Sequence, residues 1–162
     1  CPYDWFRNSE YGGTALKIEE FKNITIAYIR RTGNYGFENK IFMENFKEYL
    51  REKELLDKSS VILGIALDNP AMTDKNKLRY DVGLIVNGNP DIALDIRKIP
   101  DGIYAVFELP HTEQDITAFW SNIQKLVGSL SVDETKPVIE RYPADKVAKH
   151  LCEFCIPLKK LS

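Results

Sequence analysis

The stretch GIYAVFELPHTEQDITAFWSNIQKLVGSL, residues 102–130, decides how the chain is read. Residues 102–109 are rich in β-branched and aromatic types and follow the turn-forming Pro100-Asp101, which predicts a strand. From Ile116 the apolar residues Phe119, Trp120, Ile123, Leu126, Val127 and Leu130 fall on one stripe at i, i+3, i+4, i+7 spacing, so a helix over 112–130 is predicted. Thr112, three residues before Asp115, suits the N-cap, and Glu113 and Asp115 suit the positive end of the helix dipole.

Downstream, PVIERY (137–142) and CEFCIPL (152–158) read as two further strands. The same order stands upstream: ITIAYIRR (24–31), a helix over 37–53 carried by Ile41, Phe42, Phe46, Tyr49 and Leu50, then VILGIAL (61–67) and LRYDVGLIV (78–86). The two halves, about 24–86 and 103–158, repeat with a period of roughly 75 to 80 residues, longer than solenoid repeats. Two copies of strand, helix, strand, strand predict an α+β domain with pseudo-twofold symmetry. Its mainly antiparallel sheet would carry two helices on one side, with a central ligand groove between the halves. TALKIEEF (14–21) and NITIAYIRR (23–31) meet at Lys22-Asn23 and are expected to form a hairpin, and ALDIRKI (93–99) adds a strand. Residues 1–13 read as a tail or linker, and the domain is expected over 14–162.

The length of 162 residues favours one domain. With 22 Lys plus Arg against 24 Asp plus Glu, the net charge of −2 gives no field to draw the chain to nucleic acid or an anionic membrane. No apolar run approaches the roughly 18 residues of a membrane span and no signal peptide is visible, so a cytoplasmic location is expected. The cysteines, Cys1, Cys152 and Cys155, are too few and too odd in number for a disulfide framework. A start at Cys1 is expected to mark a trimmed terminus, with the lipidated cysteine of a processed lipoprotein as the alternative. His150, Cys152 and Cys155 spell H-x-C-x-x-C without a second pair, and strand alternation turns the two cysteines to opposite faces. No metal and no cofactor are therefore expected. His111 is expected to be a solvated loop residue, because no triad spacing surrounds it.

The remaining chemistry lies in KPVIERYPAD, residues 136–145, where Val138, Glu140 and Tyr142 share one face of a strand and Ile139 and Arg141 the other. Alternation alone leaves two readings of Glu140. It is an exposed edge-strand carboxylate paired with Arg141 or a lysine, or it is buried among aromatics, at a cost of several kcal/mol unless a cation or donors compensate it. Tyr28, Tyr80, Tyr104, Phe107, Trp120 and Tyr142 could wall such a site or simply fill the core.

Taken in order, GIALDNPAMTDKNKLRYDVGLIV (64–86), IPDGIYAVFELPHTEQDITAFWSNIQKL (99–126), KPVIERY (136–142) and CEFCIPLK (152–159) resemble the GyrI-like small-molecule-binding domain family. That family is related to effector-binding domains of AraC-type and MerR-type multidrug regulators. The resemblance implies that the glutamate of its P-x-x-E-x-Y strand, here Glu140 with Tyr142 beside it, lies in the central groove. It implies binding of planar, lipophilic, cationic small molecules, for sensing or sequestration of drugs or toxins. The implied ligand-binding set is Glu140, Tyr142, Trp120, Phe107, Tyr80, Tyr28 and Tyr104. An alternative is a hydrolase of cyclopropanoid DNA-alkylating natural products with Glu140 and Tyr142 as catalytic residues, and a third reading is a DNA gyrase inhibitor-like protein. The expected partners are hydrophobic or cationic small molecules, with no nucleic acid bound directly and no membrane. Gyrase enters only through the family name, and a DNA-binding domain only if one lies upstream.

Overall fold

The computed structural model describes residues 15–88 and 90–160; the 1–13 tail and Cys1 lie outside the described residues. The strands are β1 (Ala15–Phe21), β2 (Ile24–Thr32), β3 (Val61–Ala66), β4 (Arg79–Val86), β5 (Asp95–Ile99), β6 (Gly102–Pro110), β7 (Ile139–Pro143) and β8 (Leu151–Leu158). The helices are α1 (Phe37–Glu52), α2 (Glu113–Ser121), α3 (Ile123–Leu126) and α4 (Ala144–Val147). All eight described strands join one antiparallel sheet in the order β1-β6-β8-β7-β3-β4-β2-β5. The architecture is α+β, as the duplicated pattern predicts.

The expected hairpin of β1 and β2 does not form. β1 pairs with β6, Phe21 opposite Gly102, while β2 pairs with β4 and β5, Ile24 opposite Ile99. The link between β5 and β6 behaves in the same way, so each half places its leading strand on the outer edge of the other. The repeated unit is therefore one strand longer than the sequence suggests, with β1 answering to β5. The two short links lie side by side, Asn23 N donating to Asp101 Oδ1 at 3.1 Å. The crossing buries Phe21, which stacks on Tyr104 with ring centres 4.2 Å apart; the apolar burial outweighs the local preference of a two-residue link for a hairpin.

This exchange also sets the shape. β1 and β5 are opposite ends of the strand order, yet β1 runs within two residues into β2, the neighbour of β5, so the sheet has to curl back on itself. The curled-in face is filled by Phe21, Ile26, Leu63, Ile65, Ile99, Tyr104, Val106, Ile139 and Cys155, with no helix residue among them. Across it, Arg141 on β7 donates to Glu19 on β1 at 2.6 and 3.0 Å and to Glu153 on β8 at 2.8 and 3.2 Å. On a flat sheet β7 and β1 would stand about 14 Å apart.

The other face carries the helices. Met43, Phe46 and Leu50 of α1 pack on Ile62, Tyr80, Val82 and Leu84, and Phe119 of α2 and Leu126 of α3 pack on Phe107, Leu109, Phe154 and Ile156. The single helix predicted over 112–130 is broken. Thr112 caps it as expected, accepting from Asp115 N at 3.1 Å, but Asn122 turns its side-chain amide back onto Ala118 O at 2.8 Å and interrupts the ladder between α2 and α3. Short α4, which the sequence pattern did not suggest, turns the chain from Pro143 back to β8. No helix among the described residues is long and apolar enough to cross a membrane.

Arg141→Met should cost about 3 kcal/mol or more, because Glu153, 2% exposed, would lose its buried partner. Urea unfolding followed by circular dichroism measures this; an unchanged midpoint would contradict the pairing.

Candidate functional site

β3 and β7 lie side by side in the middle of the sheet, with Gly64 opposite Glu140, Leu63 opposite Arg141 and Ile62 opposite Tyr142. Glu140 is thus on a central strand, and Arg141 leaves through the curled-in face; the reading of Glu140 as an exposed edge carboxylate paired with Arg141 does not hold. Tyr142 belongs to both helix-covered cores. The site lies on the seam between them.

Glu140 is half-buried. Its Oε1 accepts two hydroxyl hydrogen bonds, from Tyr142 at 2.8 Å and from Tyr80 at 2.9 Å. Its Oε2 bonds to none of the described residues, and since no buried side-chain polar atom among them lacks a partner, Oε2 keeps access to solvent. Burial pushes the Glu140 carboxyl above the ordinary carboxylate range; the bonds from Tyr142 and Tyr80 pull it down without cancelling the rise. Burial, and then the adjacent Glu140 charge, push both tyrosines up, so they stay protonated donors.

Glycine at position 64 makes this possible. A Cβ there would stand 2.4 Å from the Tyr80 hydroxyl and 2.6 Å from Glu140 Oε1. A lone glycine inside a strand often marks such an approach, a signal present in VILGIAL that alternation passes over. Two further residues escape sequence reasoning. Lys47 of α1 sets its Nζ 5.7 Å from the Tyr142 ring centre, and Glu44 lies 3.6 Å from that ammonium. His111, expected in solvent, packs its ring 5.3 Å from Tyr142, held there by its N–H bond to His150 O at 2.7 Å. Burial first, and Lys47 next, lower its pKa.

The predicted aromatic set is divided by strand parity. Tyr80 and Tyr142 meet Glu140 directly. Phe154, opposite Glu140 on β8, leads outward: Phe119 stacks on it at 4.9 Å and Trp120, 40% exposed, sets its edge against it at 5.3 Å. Phe107 shares this face but is fully buried beneath α2, 5.4 Å from Phe119. Tyr28 and Tyr104 are on the curled-in face and do not reach the carboxylate; Tyr104 stacks on Phe21, and Tyr28 lies under Arg97 and Arg30 at 5.1 and 5.7 Å. Cys152 and Cys155 face opposite sides of β8, as alternation predicts. Burial raises both thiols to about 12, which leaves them neutral.

Residues 14–159 match the family described as the GyrI-like small molecule binding domain. The SPbeta prophage-derived putative transcriptional regulator YosT of Bacillus subtilis (strain 168) is 38% identical over 148 residues, which span 89% of this chain and 99% of that protein. Two solved structures share the fold. SAV2435 bound to tetraphenylphosphonium has a TM-score of 0.63 at 16% identity, over 89% of this chain and 93% of that one. The EcmrR C-terminal domain has a TM-score of 0.66 at 11% identity, over 91% and 99%. EcmrR also has a cryo-EM structure in a DNA complex, with a TM-score of 0.63 at 12% identity over 91% of this chain, which spans 58% of that one.

Removing one hydroxyl donor should raise the Glu140 pKa further, since both bonds favour the charged form. Carboxyl-carbon NMR titration of Tyr142→Phe tests the direction. Gly64→Ala should act the same way by displacing the Tyr80 hydroxyl; a lower Glu140 pKa in either variant would contradict the assignment.

Proposed function

This chain belongs to the GyrI-like small molecule binding domain family, and we propose that its ligands are planar, lipophilic cations held over Glu140, for sensing or sequestration of drugs or toxins in the cytoplasm. The observation that carries this reading is the free Oε2 of a carboxylate whose other oxygen is already bonded twice. A charge kept in a desolvated place without a countercharge is unfavourable, and a lipophilic cation relieves that cost while giving up little hydration itself. Trp120 at the rim offers an aromatic surface to a flat ligand. The tetraphenylphosphonium bound by the structural relative SAV2435 is a lipophilic cation, tetrahedral rather than planar, and lends support to the charge part of the reading. The regulator name of YosT and the DNA complex of EcmrR suggest transcriptional control as the setting.

The same Oε2 supports a second reading. A carboxylate with a raised pKa and an open oxygen can take a proton from water, so hydrolysis of a strained electrophile such as a cyclopropane remains chemically consistent with Glu140 as base and Tyr142 as the residue holding it. A ring-opened water adduct by mass spectrometry, absent with Glu140→Ala, would establish turnover.

For the binding reading, Glu140→Gln should weaken a cationic planar dye about tenfold or more and leave a neutral dye of the same shape nearly unchanged. Affinity for the cation should rise with pH through the raised Glu140 pKa and level off above it, while the neutral dye shows no such step. Fluorescence titration across pH reads both; equal losses for the two dyes would refute the charge argument.

A further inference from the structure

Resting on the binding reading above, the geometry points to a narrower ligand class: we propose that the site selects cations that carry an N–H, such as ring-bound amines and amidines, over fully alkylated cations of the same shape and charge. Oε1 is saturated, since two hydroxyl donors at 2.8 and 2.9 Å occupy its two lone-pair positions. Neither donor is free to turn to Oε2. Tyr80 is 3% exposed and held in the space over Gly64, and Tyr142 is fixed between its hydroxyl bond and the His111 and Lys47 side chains on its ring. Solvent satisfies Oε2 in the free protein, and a flat ligand laid over the seam expels that solvent. A covered carboxylate oxygen without a donor then loses its hydrogen bond, a loss the ligand avoids only by bringing a hydrogen of its own.

The rings around the site reinforce the point. A cation without N–H groups keeps the attraction of the carboxylate charge but has only aromatic faces to replace the missing hydrogen bond. The face of Tyr142 already carries the Lys47 ammonium, and Tyr80 is buried with its ring against Tyr35, 6.5 Å between centres. Phe119 and Phe154 are stacked on each other. Trp120 is half open, but it stands at the rim, one ring beyond Phe154. The open lone pairs of Oε2 are therefore the strongest handle at the seam, and they are directional.

Thionine and methylene blue test this. They share the flat phenothiazinium ring and its charge, and differ in carrying N–H groups or methyl groups on the outer nitrogens. Calorimetric or fluorescence titration of the full chain should find thionine bound about tenfold tighter or more, the scale of one hydrogen bond to a charged group. In Glu140→Gln the preference should vanish, because the amide turns its oxygen to the two tyrosines and presents a donor where Oε2 stood. In Tyr80→Phe, which frees a second acceptor position, the preference should grow; this variant carries the test if the first does not fold. Equal or tighter binding of methylene blue by the wild type overturns the N–H selection and leaves the cation reading standing. A thionine preference that persists in Glu140→Gln also overturns it, since methyl bulk alone would then explain the difference. Failure of both dyes to bind overturns the cation reading and this inference together.

Discussion

The exchange of leading strands is the constraint from which the rest of this structure follows. Because β1 pairs with β6 and β5 with β2, the edges of the sheet are drawn toward each other by two short links, and the sheet has to curl. Curling gives its two faces different tasks. The inner face closes on itself around Phe21, Ile26, Tyr104 and Ile139 and needs no helix. The helices are left to cover only the outer face, each over its own half, and the central pair β3 and β7 runs beneath the line where the two coverings meet. A side chain that points outward from that pair is surrounded by protein yet open along one direction, which is the position of Glu140.

The symmetry that builds the seam is broken where the chemistry sits. β2 matches β6 and β4 matches β8 end to end and in register, so Val82 answers to Phe154, and their partners Gly64 on β3 and Glu140 on β7, which face each other, answer to each other across the axis. One half supplies a carboxylate there, and the other supplies an empty space. The glycine that answers to Glu140 across the axis gives the Tyr80 hydroxyl room to reach the carboxylate, so one site forms near the axis, built by both halves. The inner face is divided in the same spirit: fully buried Asp81 is held by Arg30 and Arg97 in one half, and in the other Arg141 is held by Glu19 and Glu153.

Much of this was legible in the sequence, for identifiable reasons. Alternation in VILGIAL, RYDVGLIV and GIYAVFEL and the 3.6 period of α1 are local signals, and they placed strands and helices closely. Alternation left Glu140 either exposed or buried among aromatics, and the family resemblance of the P-x-x-E-x-Y strand set it with Tyr142 in the groove. The hairpin of β1 and β2 failed because a two-residue link reports proximity of strand ends and says nothing about pairing between the strands. The aromatic set was mixed for a related reason. Whether Tyr28, Tyr104 or Tyr80 joins Glu140 depends on register across several strands, and parity within each strand carries no information about parity between them. Lys47 and His111 reach Tyr142 from a helix and a loop, and only the packing of those elements on the sheet brings them there.

The position of Glu140 ties the proposed binding site to the stability of the fold. Its folded pKa is raised, so between the ordinary carboxylate range and that higher value the native state binds more protons than the unfolded chain, and stability falls as pH rises. The two tyrosine hydroxyls reduce this cost and do not remove it. A protein that keeps such a group at the centre of its sheet has a native state that gains most from a cation under the conditions in which the carboxylate is charged. On the proposed reading, a bound cation would return free energy that burial of the carboxylate removed, and the domain would be most stabilised when occupied. Such a coupling would need no moving part: the desolvation that makes the charged carboxylate costly is what a bound cation would offset.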